Sequence, residues 1–320
     1  MTQPRGSVAQ EMALPDLLGQ HRFRAMNTDV RMYMLDMENV VLFPLAEELF
    51  HSMEARLSRF IPDSELCWLN GRAGRETRVS ETMFDILEKA LDMHSITGAV
   101  FDPAVLPELE KAGYDRSFEQ VDRTADALPH DGRGGEFSVS QLRLNPARRT
   151  VTAPTGLRID LGGIGKGYTV DAAARVLGPA RDFVVNAGGD IFASGAGPDA
   201  DGWLVGVTEP HNFDVYVSLV RLHDEALATS TTAVRRWQRG GRLLHHLIDP
   251  RTRQPSDSGV LSVSVIAPTA VQADVYAKTA LLLGPLDGPR FLERQGTPGL
   301  FMMEDGAPIV TSGWTGTSPN

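Results

Sequence analysis

The chain has 320 residues, of which 42% are hydrophobic, enough to bury a substantial core in one large domain or two packed ones. Its formal charge of -10 argues against a nucleic-acid backbone as the main partner, because phosphate neutralisation needs a basic face. The single cysteine, Cys67, excludes an intramolecular disulfide and a cysteine zinc site and fits a reducing compartment.

Residues 1–20 mix Pro, Gly and Gln without periodicity and read as a flexible arm ahead of a single domain over 21–320. They contain no continuous apolar core of a signal peptide, and no later stretch reaches transmembrane length, so a cytoplasmic location and no membrane span are expected. Residues 21–26 and 29–35 read as two strand pieces joined at Met26-Asn27-Thr28. Leu45, Leu49, Met53 and Leu57 recur at four-residue steps, which predicts an amphipathic helix over 44–60. Ser64 is placed to cap a short helix, and Ser80 a second amphipathic one over 80–97. A loop then sets Asp102 just before Pro103. Residues 115–148 are polar, Gly-rich and irregular and read as an exposed insertion with little chemistry.

The stretch Arg158-Ile-Asp-Leu-Gly-Gly-Ile-Gly-Lys-Gly-Tyr168 runs from an apolar strand signal through four glycines into an alanine-rich helix. Without Cβ atoms, Gly162, Gly163, Gly165 and Gly167 can take positive φ and bring backbone groups to a phosphate or a metal, with Lys166 supplying charge. The spacing fits neither the dinucleotide fingerprint nor a Walker loop. A tight strand-to-helix turn that needs glycine for close packing is the competing explanation.

Strand signals follow at 182–191, 203–208, 215–222, from 226, 245–250 and 260–267, before a helix from Ala270 that Gly284-Pro285 should end. Strands in runs with helices between groups indicate an α+β fold with mixed or antiparallel sheets and packed helices.

Taken in order, several of these segments resemble the FAD:protein FMN transferase (ApbE-like flavin transferase) family. They are Arg24-Ala-Met-Asn-Thr28, Leu57-Ser-Arg-Phe60 with Asp63-Ser-Glu-Leu66 and Asn70, Thr97-Gly-Ala-Val-Phe-Asp-Pro103, the glycine loop with Asp171, Val185-Asn-Ala-Gly-Gly-Asp190, Ala228-Thr-Ser230, His246-Leu-Ile-Asp-Pro250, and Ser262-Val-Ser-Val-Ile-Ala-Pro268 leading to Ala273-Asp274. The resemblance implies transfer of FMN from FAD to a Ser or Thr of an acceptor flavoprotein, with AMP released. It further implies a flavin held by Met26, Val100, Phe101, Asp102, Asp160, Lys166 and Ile248, Mg²⁺ held by the Gly163 carbonyl and Asp274, and His246 as general base. Pyrophosphate cleavage needs charge neutralisation and an aimed nucleophile, which agrees with these residue types.

Departures from the family pattern stand beside the match. Lys278 occupies the position of the usual threonine metal ligand, and Ala277 that of a second aspartate in some members. Asp274 and Lys278 are one helical turn apart and share a face, while Thr279 points about 100° away. The Lys278 ammonium is therefore a candidate to take part of the metal's place, leaving Mg²⁺ weaker or dispensable; a simple surface ion pair is the alternative. Asn27 and Thr231 each stand where the family usually has glycine; Asn tolerates the left-handed conformation, and Thr231 can narrow the acceptor's entrance.

Taken one by one, His246 can also be an ordinary strand histidine, with His245 facing the opposite side. Asp102, Asp160 and Asp249 can be turn formers, and Phe101 and Tyr168 core residues. Two other functions fit the same residues: an FAD pyrophosphatase releasing FMN and AMP to water, and a flavin-binding protein without turnover.

Overall fold

In a computed structural model the described residues are 18–121 and 137–319. Helices and antiparallel sheets make up the fold, and the reading of 21–320 as one domain is refined into two compact units. One comprises Met1–Ser52, Lys166–Thr231 and Gly259–Asn320, the other Met53–Gly165 and Thr232–Ser258. Residues 1–17 of the expected arm lie outside the described residues, whereas Leu18 is buried and Gly19 and Gln20 begin the first strand.

The first unit is built on an eight-stranded antiparallel sheet in the order Gly19–Ala25, Thr28–Met34, Phe183–Ala187, Asp190–Ser194, Glu225–Thr231, Val260–Ala267, Gly299–Met303, Pro308–Val310. Alternation along the strands serves two faces. Val30, Met32, Ala226 and Ala228 join Phe43, Phe50, Val170, Ala173 and Ala270 from the helices. Tyr33, Leu227 and Ile266 turn the other way and meet Trp203, Val205, Val220 and Leu222 of the hairpin Trp203–Thr208/Tyr216–Leu222. Val260–Ala267 is buried at every position because both faces are covered. Each large side chain so buried is worth about 1.5–3 kcal/mol.

Two tight hairpins place candidate residues in this unit. Ala25 pairs with Thr28 across Met26 and Asn27, which both take positive φ (51° and 57°) as a two-residue primed turn requires. Asn27 does so readily, but Met26 carries backbone strain, a feature that gathers at functional sites. Ala187 pairs with Asp190 across Gly188 and Gly189, and the Asn186 side chain accepts the Gly189 N–H at 2.9 Å.

The glycine loop opens into the helix Gly165–Leu177, and none of its four glycines uses positive φ. Close packing explains Gly167 instead. A Cβ there would meet the Ala270 carbonyl oxygen at 2.5 Å and the Val271 nitrogen at 2.9 Å, all backbone of the late helix that cannot swing aside. Asp171, one turn on, accepts the N–H groups of Ala270 and Val271 at 2.7 and 3.1 Å and so fixes that helix's first turn. Gly167→Ala is therefore expected to destabilise the chain by about 1–3 kcal/mol, seen as a lower urea midpoint, and an unchanged midpoint would remove this packing role.

The late helix, capped by Thr269, does break at Gly284 (φ 82°) but does not end there. It resumes with Pro285 and runs to Gln295, because proline is accepted in the first turn of the new segment.

In the second unit, Leu109, Tyr114, Trp237, Leu244 and Ile248 form the core of an aromatic cluster. Residues 122–136 of the expected insertion lie outside the described residues. Its flanks correct the reading of an irregular segment: Val121 and Val139 are buried, Ser138 and Gln141 form a capping box, and Arg143–Asn145 pairs with Thr150–Thr152.

Candidate active site

Each unit carries its own group of candidate residues. In the first, Lys166 on the opening turn of Gly165–Leu177 meets the carboxylate of Asp190, which the Gly188-Gly189 turn presents and which is 2% exposed. Asp274 and Lys278 pair at 3.6 Å on the late helix, their side chains 8% and 17% exposed, so this is a largely buried pair and not the surface pair considered from sequence. Burial pushes Asp190 up to about 6; the Asp274 charge adds to this, and Lys166 and Lys278 oppose it. Four charged groups thus share one electrostatic environment. Asp274 Oδ2 is buried without a hydrogen-bond partner. Met26 packs against the same unit's core, and Thr231 at the end of its strand donates to the Leu261 carbonyl at 3.0 Å.

In the second unit, Asn70 grips the backbone of Ile159 through two hydrogen bonds of 2.9 Å and so fixes the approach to Asp160. The Asp160 N–H donates to the Pro103 carbonyl at 2.8 Å, and its carboxylate pairs with Arg59 Nε at 3.2 Å. Gly162 leaves room for that carboxylate, since a Cβ there would stand 3.0 Å from Asp160 Oδ2. Gly163 is half-buried beside it. Val100, Phe101 and Ile248 are buried apolar groups of this unit.

The Asp102 side chain is spoken for inside the protein. Its Oδ1 accepts the N–H groups of Ala104 and Val139, both at 2.9 Å, and Oδ2 lies 3.5 Å from His94 Nε2, which also meets Ser138 Oγ at 3.0 Å. Burial pushes its pKa up, but the hydrogen bonds from His94, Ala104, Ser138 and Val139 win and hold it below 3.8. The ionised carboxylate therefore contributes stability at neutral pH that is lost as pH falls through the lowered value. Asp102→Asn is expected to cost about 1–3 kcal/mol at pH 7 and progressively less toward pH 3, read from urea midpoints; a cost independent of pH would contradict it.

His246 is not in a strand. Pairing ends at His245 and resumes at Ile248–Asp249, because His245 Nδ1 accepts the Leu247 N–H (3.2 Å) while its Nε2 meets the Ser256 carbonyl (2.9 Å). That pattern makes His245 a neutral, structural histidine with its proton on Nε2. His246 sits in the resulting break, half-buried, with its ring edge-on to Tyr114 at 6.5 Å. Asp249 serves the turn, bonded to the Arg251 N–H and guanidinium.

Asp190 and Arg59 lie within the motifs that carry the family resemblance, yet the sequence assigns a role to neither. The Asn-Ala-Gly-Gly-Asp hairpin was the available signal for Asp190; nothing local marks Arg59 as buried.

The comparisons agree with one another. Residues 26–301 match the model of the ApbE family. The FAD:protein FMN transferase of Treponema pallidum is 33% identical over 276 residues, covering 80% of this chain and 75% of that protein. That of Klebsiella pneumoniae is 28% identical over 263 residues, with the same coverage. Among solved structures, the ApbE protein of Thermotoga maritima superposes with a TM-score of 0.80 at 25% identity, covering 92% of this chain and 97% of that one.

Proposed function

The chain belongs to the ApbE family of FAD:protein FMN transferases, and we propose that it moves FMN from FAD onto a Ser or Thr hydroxyl of an acceptor flavoprotein, releasing AMP. In this reading His246 takes the proton of the acceptor hydroxyl, whose oxygen attacks the FMN phosphorus. The bond to the AMP phosphate breaks, and AMP departs with the electron pair. Lys166 and Lys278 set positive charge against the pyrophosphate. Val100, Phe101, Asp102, Asp160, Ile248 and Met26 serve the flavin, Asp102 through its backbone because its carboxylate is engaged elsewhere.

The observation that carries the proposal is the buried Lys166, Asp190, Asp274 and Lys278 group, in which one carboxylate oxygen, Asp274 Oδ2, has no hydrogen bond. Among the described residues no three His, Cys, Asp or Glu side chains gather as a metal cage. Magnesium needs none, since it is commonly held by one or two carboxylates, waters and substrate phosphates. Asp274 would hold it, and when bound it would neutralise pyrophosphate charge. Lys278 already places an ammonium at Asp274, so magnesium dependence is expected to be weak. Lys278→Thr should strengthen that dependence; an unaltered magnesium titration would show that Lys278 is no substitute for the metal.

The test is to mix the chain with FAD and a small acceptor domain carrying a target threonine, with Mg²⁺ or with EDTA, and follow acceptor mass and AMP together. An FMN-sized gain supports the transferase. AMP without the gain favours pyrophosphatase activity, and bound FAD with neither product favours a non-catalytic binder. No helix among the described residues is long and apolar enough to cross a membrane. A cytoplasmic location is part of this proposal, with which the single cysteine agrees, and recovery of the protein in a different fraction would refute it.

A further inference from the structure

Arg59 lies two residues past the end of the helix Phe43–Leu57 and is almost entirely enclosed, its side chain 5% exposed. A guanidinium cannot shed its charge, so its burial must be met by partners. Asp160 supplies the counter-charge at 3.2 Å, and the rings of Phe60 and Tyr114 lie 4.1 and 4.6 Å from the guanidinium carbon. Those contacts leave one demand unanswered: Nη2 is buried and has no hydrogen-bond partner in the protein. A buried donor left idle costs free energy, and an arrangement this closely packed around it is explained when a ligand atom completes it.

The surroundings specify that atom. Arg59 and Asp160 together carry no net charge, so they match a neutral acceptor better than a phosphate. Donors in the guanidinium plane suit the in-plane lone pairs of a carbonyl, and the neighbouring aromatic rings suit a flat ring system. Tyr114, which burial keeps as a neutral phenol, also touches the His246 ring, so the same cluster adjoins the proposed base. Building on the flavin transferase reading above, we infer that Arg59 is a flavin-ring binding residue whose Nη2 donates to a carbonyl oxygen of the isoalloxazine.

The experiment compares affinities of wild type and Arg59→Lys for riboflavin, 2-thioriboflavin, 4-thioriboflavin and ADP. Lysine keeps the charge opposite Asp160 but lacks the in-plane Nη2 donor. The wild-type chain should bind riboflavin about tenfold more tightly than one of the two thio analogues, because sulfur is a poor acceptor. In Arg59→Lys riboflavin affinity should fall by about the same factor, the oxo-over-thio preference should vanish, and ADP affinity should stay put. The inference is overturned by a wild type indifferent to both thio analogues, by a variant that keeps the preference, or by a loss confined to ADP, which would make the acceptor a phosphate. The wild-type comparison does not depend on the variant folding. A wild type that binds neither riboflavin nor FAD would overturn the transferase reading itself, and this inference with it.

Discussion

His246→Gln is expected to lower the rate of FMN transfer by about 10²–10⁴-fold while leaving FAD affinity within a few-fold of wild type. The expectation follows from the division of labour between adjacent histidines. His245 is consumed by structure: both ring nitrogens are engaged, one with the Leu247 N–H and one with the Ser256 carbonyl. That engagement interrupts the strand and puts His246 in the break, against the edge of Tyr114. Glutamine keeps polarity and rough size but cannot accept a proton at neutral pH. Wild-type activity should fall on acidification, since an imidazolium is no base, and the variant's residual activity should not follow that limb. Transfer within tenfold of wild type in the variant would remove His246 from the base's role, and a parallel collapse of FAD binding would make it a binding residue instead.

How legible was this in the chain? The elements with a strong period were readable. The alternation in Asp29-Val-Arg-Met-Tyr-Met34, the four-residue steps from Leu45 to Leu57, and the caps Ser64 and Ser80 each specify local geometry through nearby residues. The glycine loop was readable as a loop but not in its reason, because close packing of Gly167 on Ala270 depends on a residue 103 positions away. The break at His246 was hidden for a related cause: it depends on a side chain–backbone bond from His245 that periodicity cannot register. Burial of charge was least legible. Nothing in the sequence marks Arg59 or Asp190 as enclosed, or decides whether Lys278 pairs at the surface, and only tertiary partners show the burial of each.

Lys166→Met is the second large effect, and its size turns on pH. Breaking a buried ion pair commonly costs about 3–5 kcal/mol, because the remaining charge is stranded. Here the stranded group has an escape. Burial already holds Asp190 at about 6 in place of 3.8, a penalty of roughly 3 kcal/mol at neutral pH. Without Lys166 the carboxyl rises further and takes up a proton, which limits the added loss at pH 7 to about 1–3 kcal/mol, including the lost hydrogen bond. The sign follows from proton counts: wherever the folded state holds the proton and the unfolded state does not, stability falls as pH rises. For the wild-type chain that window runs from about 3.8 to about 6. For Lys166→Met it extends toward neutrality, so the difference between the two proteins should be small at pH 5 and full at pH 7. Asp190→Asn should flatten the wild-type fall across the window, and the double variant should be more stable at pH 7 than Lys166→Met alone. Urea midpoints of the four proteins at both pH values decide it, and a Lys166→Met cost that is equal at pH 5 and pH 7 would show that Asp190 is not the group being stranded. FAD affinity should fall at least about tenfold in the same variant, since on the proposed reading the ammonium makes a charge-assisted contact to the pyrophosphate. Restoring stability through Asp190→Asn should not restore that affinity, which separates the ion pair's part in the fold from the lysine's part in binding.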